Sequence, residues 1–228
     1  AIYVLDQQVP VLRKYAADGT YLGAIGRKGG GPGEYQQPDG GLAILADGRI
    51  LLRDPGNSRI NVYSASGEPL DSWRMPGGFF TSDPLYVDRA GNTYTPTIAE
   101  RNSDGTWQTG LLRFGPDGTV LDTVRPPTWD VQPARLVAVR EVGENRSMST
   151  RPVPFMPTAR WTFSPAGHFV GGVGEPYAVY VFRQDEPILR IERGWQPVRV
   201  HPDEKAEQER FATTSLRRTD PNWRWNGP

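Results

Sequence analysis

One phrase recurs four times in this chain and limits what it can fold into. A β-rich run reaches a D-G, S-G or A-G turn, and a second β-rich run follows at once. The copies are VLRKYAADGTYLGAIG (11–26), INVYSASGEPLDSW (60–73), LLRFGPDGTVLDTV (111–124) and the degenerate VYVFRQDEPILRIE (179–192). Two β-rich runs joined by a two-residue turn of this type form an antiparallel hairpin. Repetition of a hairpin at a fixed interval means stacked copies of one supersecondary unit. The expected fold class is therefore all-β.

The turn glycines give the period. Outer turns fall at Gly19, Gly67 and Gly118, and inner turns at Gly48, Gly91 and Gly167. Gly48 to Gly91 spans 43 residues, Gly19 to Gly67 spans 48 and Gly67 to Gly118 spans 51. Gly91 to Gly167 spans 76, one period plus an insert of about thirty. Four short strands per period of about forty-five residues is the signature of a β-propeller blade. The reading is a partial first blade over 1–26, complete blades over 41–75, 84–125 and 158–193, and an insertion over 126–157 with one extra strand, 135–142. Six prolines mark that insertion. Residues 202–218 form the one convincing helix, near 203–218, with Pro202 in the first turn, acids 203, 204 and 207 at the positive end and Arg217 and Arg218 at the other. Its apolar stripe of Ala206, Phe211, Ala212 and Leu216 is thin, which places it on a surface. The rest of 201–228 reads as an extended tail leading into further blades.

Composition excludes several classes. Twenty-six basic and 26 acidic residues leave no net charge, so a general nucleic-acid partner is not expected. There is no Cys, which removes disulfides, thiolate zinc sites and thiol catalysis. No apolar run approaches the 18 residues of a membrane span. The chain opens directly in a strand-like run, Ala1–Asp6, without Met. A removed signal peptide explains such a start.

Residues 25–70, IGRKGGGPGEYQQPDGGLAILADGRILLRDPGNSRINVYSASGEPL, resemble an NHL-type repeat, with a Gly-rich loop before the innermost strand and a D-x-x-N-x-R-I-x-V-Y link. Asp54, Asn57, Arg59, Ile60, Val62 and Tyr63 stand at those positions. The stretch 153–157, with Trp161 and Ser164–Gly167, is similar to the later blades of bacterial six-bladed TolB-like propellers. The resemblance implies a six-bladed fold of which about four blades lie in this chain. It also implies a bacterial periplasmic or cell-surface location. Within the motif, Asp54 and Asn57 are expected to hydrogen-bond the tight loop, and Arg59 to reach back to Asp54.

Candidate chemistry is sparse. The loop Gly29–Gly33 lacks the Lys-Ser/Thr of a P-loop and the helix of a dinucleotide fingerprint, so it reads as a connector between blades. His168 and His201 are the only histidines, and zinc would need both plus distant carboxylates. The innermost strands offer only Asp88 and Arg160 toward a channel. No catalytic residue, metal ligand or cofactor is assigned. Most of the seven Trp read as packing between sheets. The insert and the tail lie outside the repeat and hold aromatic and Arg residues, the usual anchors of interfaces. Trp129, Arg135, Arg146, Arg151 and Phe155, with Trp223, Arg224 and Trp225, are the candidate contacts with other protein subunits. The alternative is that they pack on the chain itself. The expected function is a non-catalytic scaffold, an accessory subunit docked on a membrane complex. A metal-dependent lactonase or lyase and a carbohydrate or peptide sensor stay open beside it.

Overall fold

A computed structural model describes residues 1–6, 9–76, 83–101, 107–131, 134–175 and 177–227. The repeat appears as successive small sheets. The first contains β1 (Ile2–Asp6), β2 (Val11–Tyr15) and β3 (Tyr21–Ile25). A minimal parallel pair, β4 (Arg27–Lys28) and β5 (Glu34–Tyr35), brackets the Gly-rich loop. The second sheet is a four-stranded antiparallel meander of β6 (Leu42–Ile44), β7 (Ile50–Asp54), β8 (Arg59–Tyr63) and β9 (Pro69–Arg74). The third repeats it with β10 (Tyr86–Val87), β11 (Thr93–Arg101), β12 (Trp107–Phe114) and β13 (Val120–Val124). The insertion is a hairpin of β14 (Arg135–Val142) and β15 (Asn145–Pro152). The fourth meander follows as β16 (Ala159–Phe163), β17 (Phe169–Val173), β18 (Ala178–Arg183) and β19 (Glu186–Glu192), and α1 spans Pro202–Leu216. The chain is all-β, built of propeller blades, with this helix outside the sheets.

The insert departs from expectation in having two strands. The sequence of β15, NRSMSTRP, is polar and ends in Pro, so nothing in it announces a strand. It is held by eight register pairs with β14, from Arg135–Pro152 to Val142–Asn145.

The chain divides into two compact units. The first comprises 1–127 with 162–169 and 182–186; the second comprises 128–161, 170–181 and 187–228. In the first, the period-2 pattern of β7 does the organising. Ile50 and Leu52 point to one side and pack with Leu12, Ile25, Tyr35 and Tyr63. Leu51 points to the other and packs with Ile60, Val62, Trp73, Leu112 and Phe114. Alternation in a strand buried on both faces thus serves two cores at once. Trp73 stacks on Phe114 at 5.9 Å and lies against the turn at Gly118, where a Cβ would fall inside the indole. Phe163 and Phe169 extend the unit's apolar interior, Phe163 at 4.4 Å from the Tyr94 ring.

The second unit has its own core of Leu136, Ala138, Val153, Ala212, Leu216 and Trp223. Here the stripe on α1 narrows to Ala212 and Leu216, while Phe211 stays exposed. The helix starts in a capping box: Asp203 N donates to His201 Nδ1, and His201 N donates to the Glu204 carboxylate. That reciprocal pairing answers two of the amides a helix leaves without intrahelical partners.

Candidate functional site

The Gly-rich loop is tied down by one face of β8. Residues 59, 61 and 63 share that face, and each donates to a loop carbonyl. Arg59 Nη2 reaches Gly31 O at 2.7 Å and Glu34 O at 2.8 Å, Asn61 Nδ2 reaches Glu34 O at 3.1 Å, and Tyr63 Oη reaches Gly33 O at 3.0 Å. Asn57 Nδ2 adds Gly29 O at 2.9 Å. Within the loop, Gly31 N donates to the Glu34 carboxylate at 2.8 Å, and Arg27 pairs with the same carboxylate at 2.7 Å. The Gly31 amide first, and Arg27 with it, hold that carboxyl below its ordinary range.

Asp54 is fully buried. Its carboxylate accepts from Gln36 N, from Gln37 N at 2.9 Å and from Asn57 Nδ2 at 2.7 Å. Arg59 does not turn back to Asp54, contrary to the sequence expectation. Its guanidinium faces the loop because residue 59 shares the face of 61 and 63, and backbone amides with Asn57 meet the carboxylate instead. Burial pushes the Tyr63 hydroxyl well above the ordinary tyrosine value.

A second buried polar cluster escaped the sequence reading. Arg53 is 1% exposed. Its Nε donates to Asp39 Oδ1 at 2.7 Å, Nη1 to Thr95 Oγ1 at 3.1 Å and Nη2 to Asp83 O at 2.6 Å. It therefore bridges β7 to β11 of the next blade. Arg53 stands at the end of the apolar run ILLRD, and Asp39 lies fourteen residues before it. Only the register of β7, which turns residue 53 to the same side as Leu51, brings Arg53 to β11.

Asp88 and Arg160 are the charged candidates that the sequence offers on innermost strands. Asp88 accepts from Ala90 N, Asn92 N, Asn92 Nδ2 and Tyr94 Oη, all at 2.8–2.9 Å. Burial raises its carboxyl, and the hydrogen bonds from Asn92 and Tyr94 outweigh that and leave it below the ordinary value. Burial together with Asp88 pushes Tyr94 up to about 12. Arg160 is exposed. Among the described residues no three His, Cys, Asp or Glu side chains cluster as a metal site would need, and no helix is long and apolar enough to cross a membrane.

The eight candidate contact residues separate into two groups. Trp223 is 5% exposed and donates from Nε1 to Val137 O at 2.9 Å. Arg151 donates to Ser215 Oγ at 2.7 Å and lies 4.9 Å from the Phe211 ring. Trp225 is half-buried against the same core and meets Trp223 edge-on. These three join the insert and the tail to each other, and their aromatic and charged groups have partners within the chain. Trp129 is half-buried. Arg135, Arg146, Phe155 and Arg224 remain at the surface. Phe155 is 56% exposed and holds a left-handed backbone, φ 61°, a conformation unusual for a bulky residue.

The hairpin β14–β15 consequently has two unlike faces. The register places Leu136, Ala138, Ser149 and Arg151 on one, closed by α1, by the Ser149–Thr219 hydroxyl pair at 2.6 Å and by Trp223. The other carries Arg135, Val137, Val139, Met148 and Thr150, where Arg135 Nη2 donates to Thr150 Oγ1 at 2.8 Å. On this face Val137 is 39% and Met148 62% exposed.

Neither a protein-family model nor a curated protein sequence matches the chain. Solved structures do. A Bacteroides fragilis protein assigned as exported matches at 14% identity over 82% of this chain and 46% of its own, TM-score 0.48. A protein of unknown function from Bacteroides caccae matches at 14% identity over 80% and 54%, TM-score 0.40. Virginiamycin B lyase from Staphylococcus aureus matches at 12% identity over 83% and 65%, TM-score 0.40. The chain spans about half the length of the two Bacteroides proteins. At these scores the likenesses transfer no residue and no activity. The class is set by the chain's own meanders: an all-β protein of propeller blades.

Proposed function

We propose that this chain is a non-catalytic propeller module that works by protein contact. It belongs, in this reading, to a six-bladed NHL-type, TolB-like protein exported to the bacterial periplasm or cell surface, where it serves as an accessory subunit of a membrane complex. The observation that carries the reading is the open face of β14–β15. Val137, Val139 and Met148 line it, Arg135 and the exposed Arg146–Glu141 pair at 3.6 Å flank it, and the opposite face is already closed. An apolar centre with a charged rim is the layout of a contact surface. Phe155 and Met156, both exposed, follow the same hairpin. The buried charged side chains give support of another kind: Arg53, Asp39 and Asp54 brace backbone and neighbouring strands. Groups held so tightly make scaffold.

The test is co-purification of the full-length protein from its native cells, beside a Val137→Lys, Met148→Lys double variant. Both substitutions are on the exposed face, so the melting temperature should stay within a degree or two while partner recovery falls at least about tenfold. Recovery of the wild-type protein as a monomer, or full recovery of the partner by the variant, defeats the reading.

A further inference from the structure

A cleft of about 330 Å3 opens between the Gly-rich loop and β9. Gly30 and Gly33 line it from the loop, Arg59 from β8, and Leu70, Asp71 and Ser72 from β9. The cleft is lined by one cation, Arg59, and one carboxylate, Asp71, and no ion pair joins the two. Arg59 is half-buried and forms no ion pair among the described residues. The carboxylate next to it in the loop, Glu34, feels the Arg59 charge, but its hydrogen bonds come from Arg27 and Gly31 N. A half-buried guanidinium ordinarily has an anionic partner, because desolvating a lone charge is costly.

The same arginine is fixed in place. Both Nη2 hydrogen bonds go to carbonyls, at 2.7 and 2.8 Å, while Nε is buried without a hydrogen-bond acceptor and Nη1 donates to no described residue. The amides of Gly30 and Gly33 likewise donate to no described residue. Nη1 and the two amides, held in place with no acceptor of their own, cost little further ordering when an anion arrives, whereas Nε is closed off from solvent. This is a different matter from a P-loop, whose Lys and helix the sequence lacks.

We propose that this cleft binds the carboxylate of an organic ligand, with Arg59 and the loop amides as donors and Leu70 against the ligand's apolar body. Asp71 on the rim disfavours a doubly charged anion, which selects a carboxylate over a phosphate. The site uses none of the residues of β14–β15 and survives or fails independently of the contact reading.

Nitrogen-15 NMR of the 228-residue chain provides the test, with propionate, inorganic phosphate and sodium chloride as separate titrants. Saturable movement of the Arg59 Nε–H and the Gly30 and Gly33 amides with propionate, without matching movement in sodium chloride, is expected. Trialanine with a free C-terminus, set against its C-terminal amide, distinguishes the source. If free-acid trialanine binds tighter than propionate and the amide is silent, the ligand is a peptide end; if propionate binds tighter, it is a small acid, and either outcome supports the site. Ser72→Asp puts a second anion on the exposed rim and should weaken propionate about tenfold, while Asp71→Asn should tighten it about threefold. The dispersion of the remaining amide peaks verifies that both variants fold. Saturation by phosphate but not propionate, shifts equal to those in sodium chloride, or an unchanged propionate affinity in Ser72→Asp overturns the proposal.

Discussion

The blade of residues 42–74 and the hairpin of residues 135–152 use the same antiparallel pairing and finish with opposite surfaces. In the blade, all five residues of β7 are buried, because each face of the sheet meets another sheet. In the hairpin, only one face is covered, by a helix and a tail that contribute Ala212, Leu216 and Trp223. The blade is further locked by buried charges, Arg53 with Asp39 and Asp54 with loop amides. The core of the hairpin is small and apolar, and its polar ties, Ser149–Thr219, Arg151–Ser215 and Trp223–Val137, include no ion pair. A repeat covers itself by stacking on its own copies. An insert has no copy to stack on, and one face of this one stays exposed.

The largest effect expected from this contrast is at Asp54. Asp54→Ala removes the acceptor for Gln36 N, Gln37 N and Asn57 Nδ2 at once. Losing several hydrogen bonds to a buried charge should cost about 4 kcal/mol. Chemical denaturation should show that loss, with the β14–β15 hairpin unaffected in the protein that remains folded. A cost under about 1 kcal/mol would mean that the blade does not depend on its charged ties.

Leu136→Ala comes next. Leu136 is 1% exposed in the smaller core, and truncation there should cost about 3 kcal/mol. Hydrogen exchange should then accelerate over 135–152 and 202–216 and leave 50–63 protected. Equal acceleration in both regions would show a single cooperative body and erase the contrast.

The smallest effect is at a blade turn. The Asp88 carboxyl is held below its ordinary value of 3.8. Its ionised form therefore stabilises the folded state above that value, and the contribution is lost as pH falls through the lower folded value. Asp88→Asn should lower stability by about 1 kcal/mol at neutral pH. The gap between the two melting curves should close below pH 3.8. A gap that is constant with pH would assign the effect to packing instead.

The strands were legible because alternation and turn glycines are local signals. The extra strand expected over 135–142 is β14, Arg135–Val142, and the turn expected at Gly118 joins β12 to β13. β15 was not legible, since Asn145–Pro152 becomes a strand only through the partner it meets. The charged cluster was hidden for a related reason. Arg53 and Thr95 are 42 residues apart, and their meeting depends on the stacking of blades. Trp223 misled in the other direction. Its Pro- and Asn-rich surroundings suggest a free tail, but an indole that finds a carbonyl at 2.9 Å and an apolar floor is buried wherever the chain allows.

The turn glycines also fix how this repeat wears over time. Gly19, Gly118 and Gly167 share nearly one backbone angle, φ 89°, 82° and 78°. Around Gly19 and Gly167 an added Cβ meets nothing within 4 Å, whereas at Gly118 it enters the Trp73 ring. Drift at the first two positions costs only the backbone penalty, which Asn or Asp reduces. Drift at Gly118 also displaces the indole. The signature should therefore fade first at open turns and last at packed ones. The hairpin between β18 and β19 is already at that stage, with Gln184 holding φ 56°.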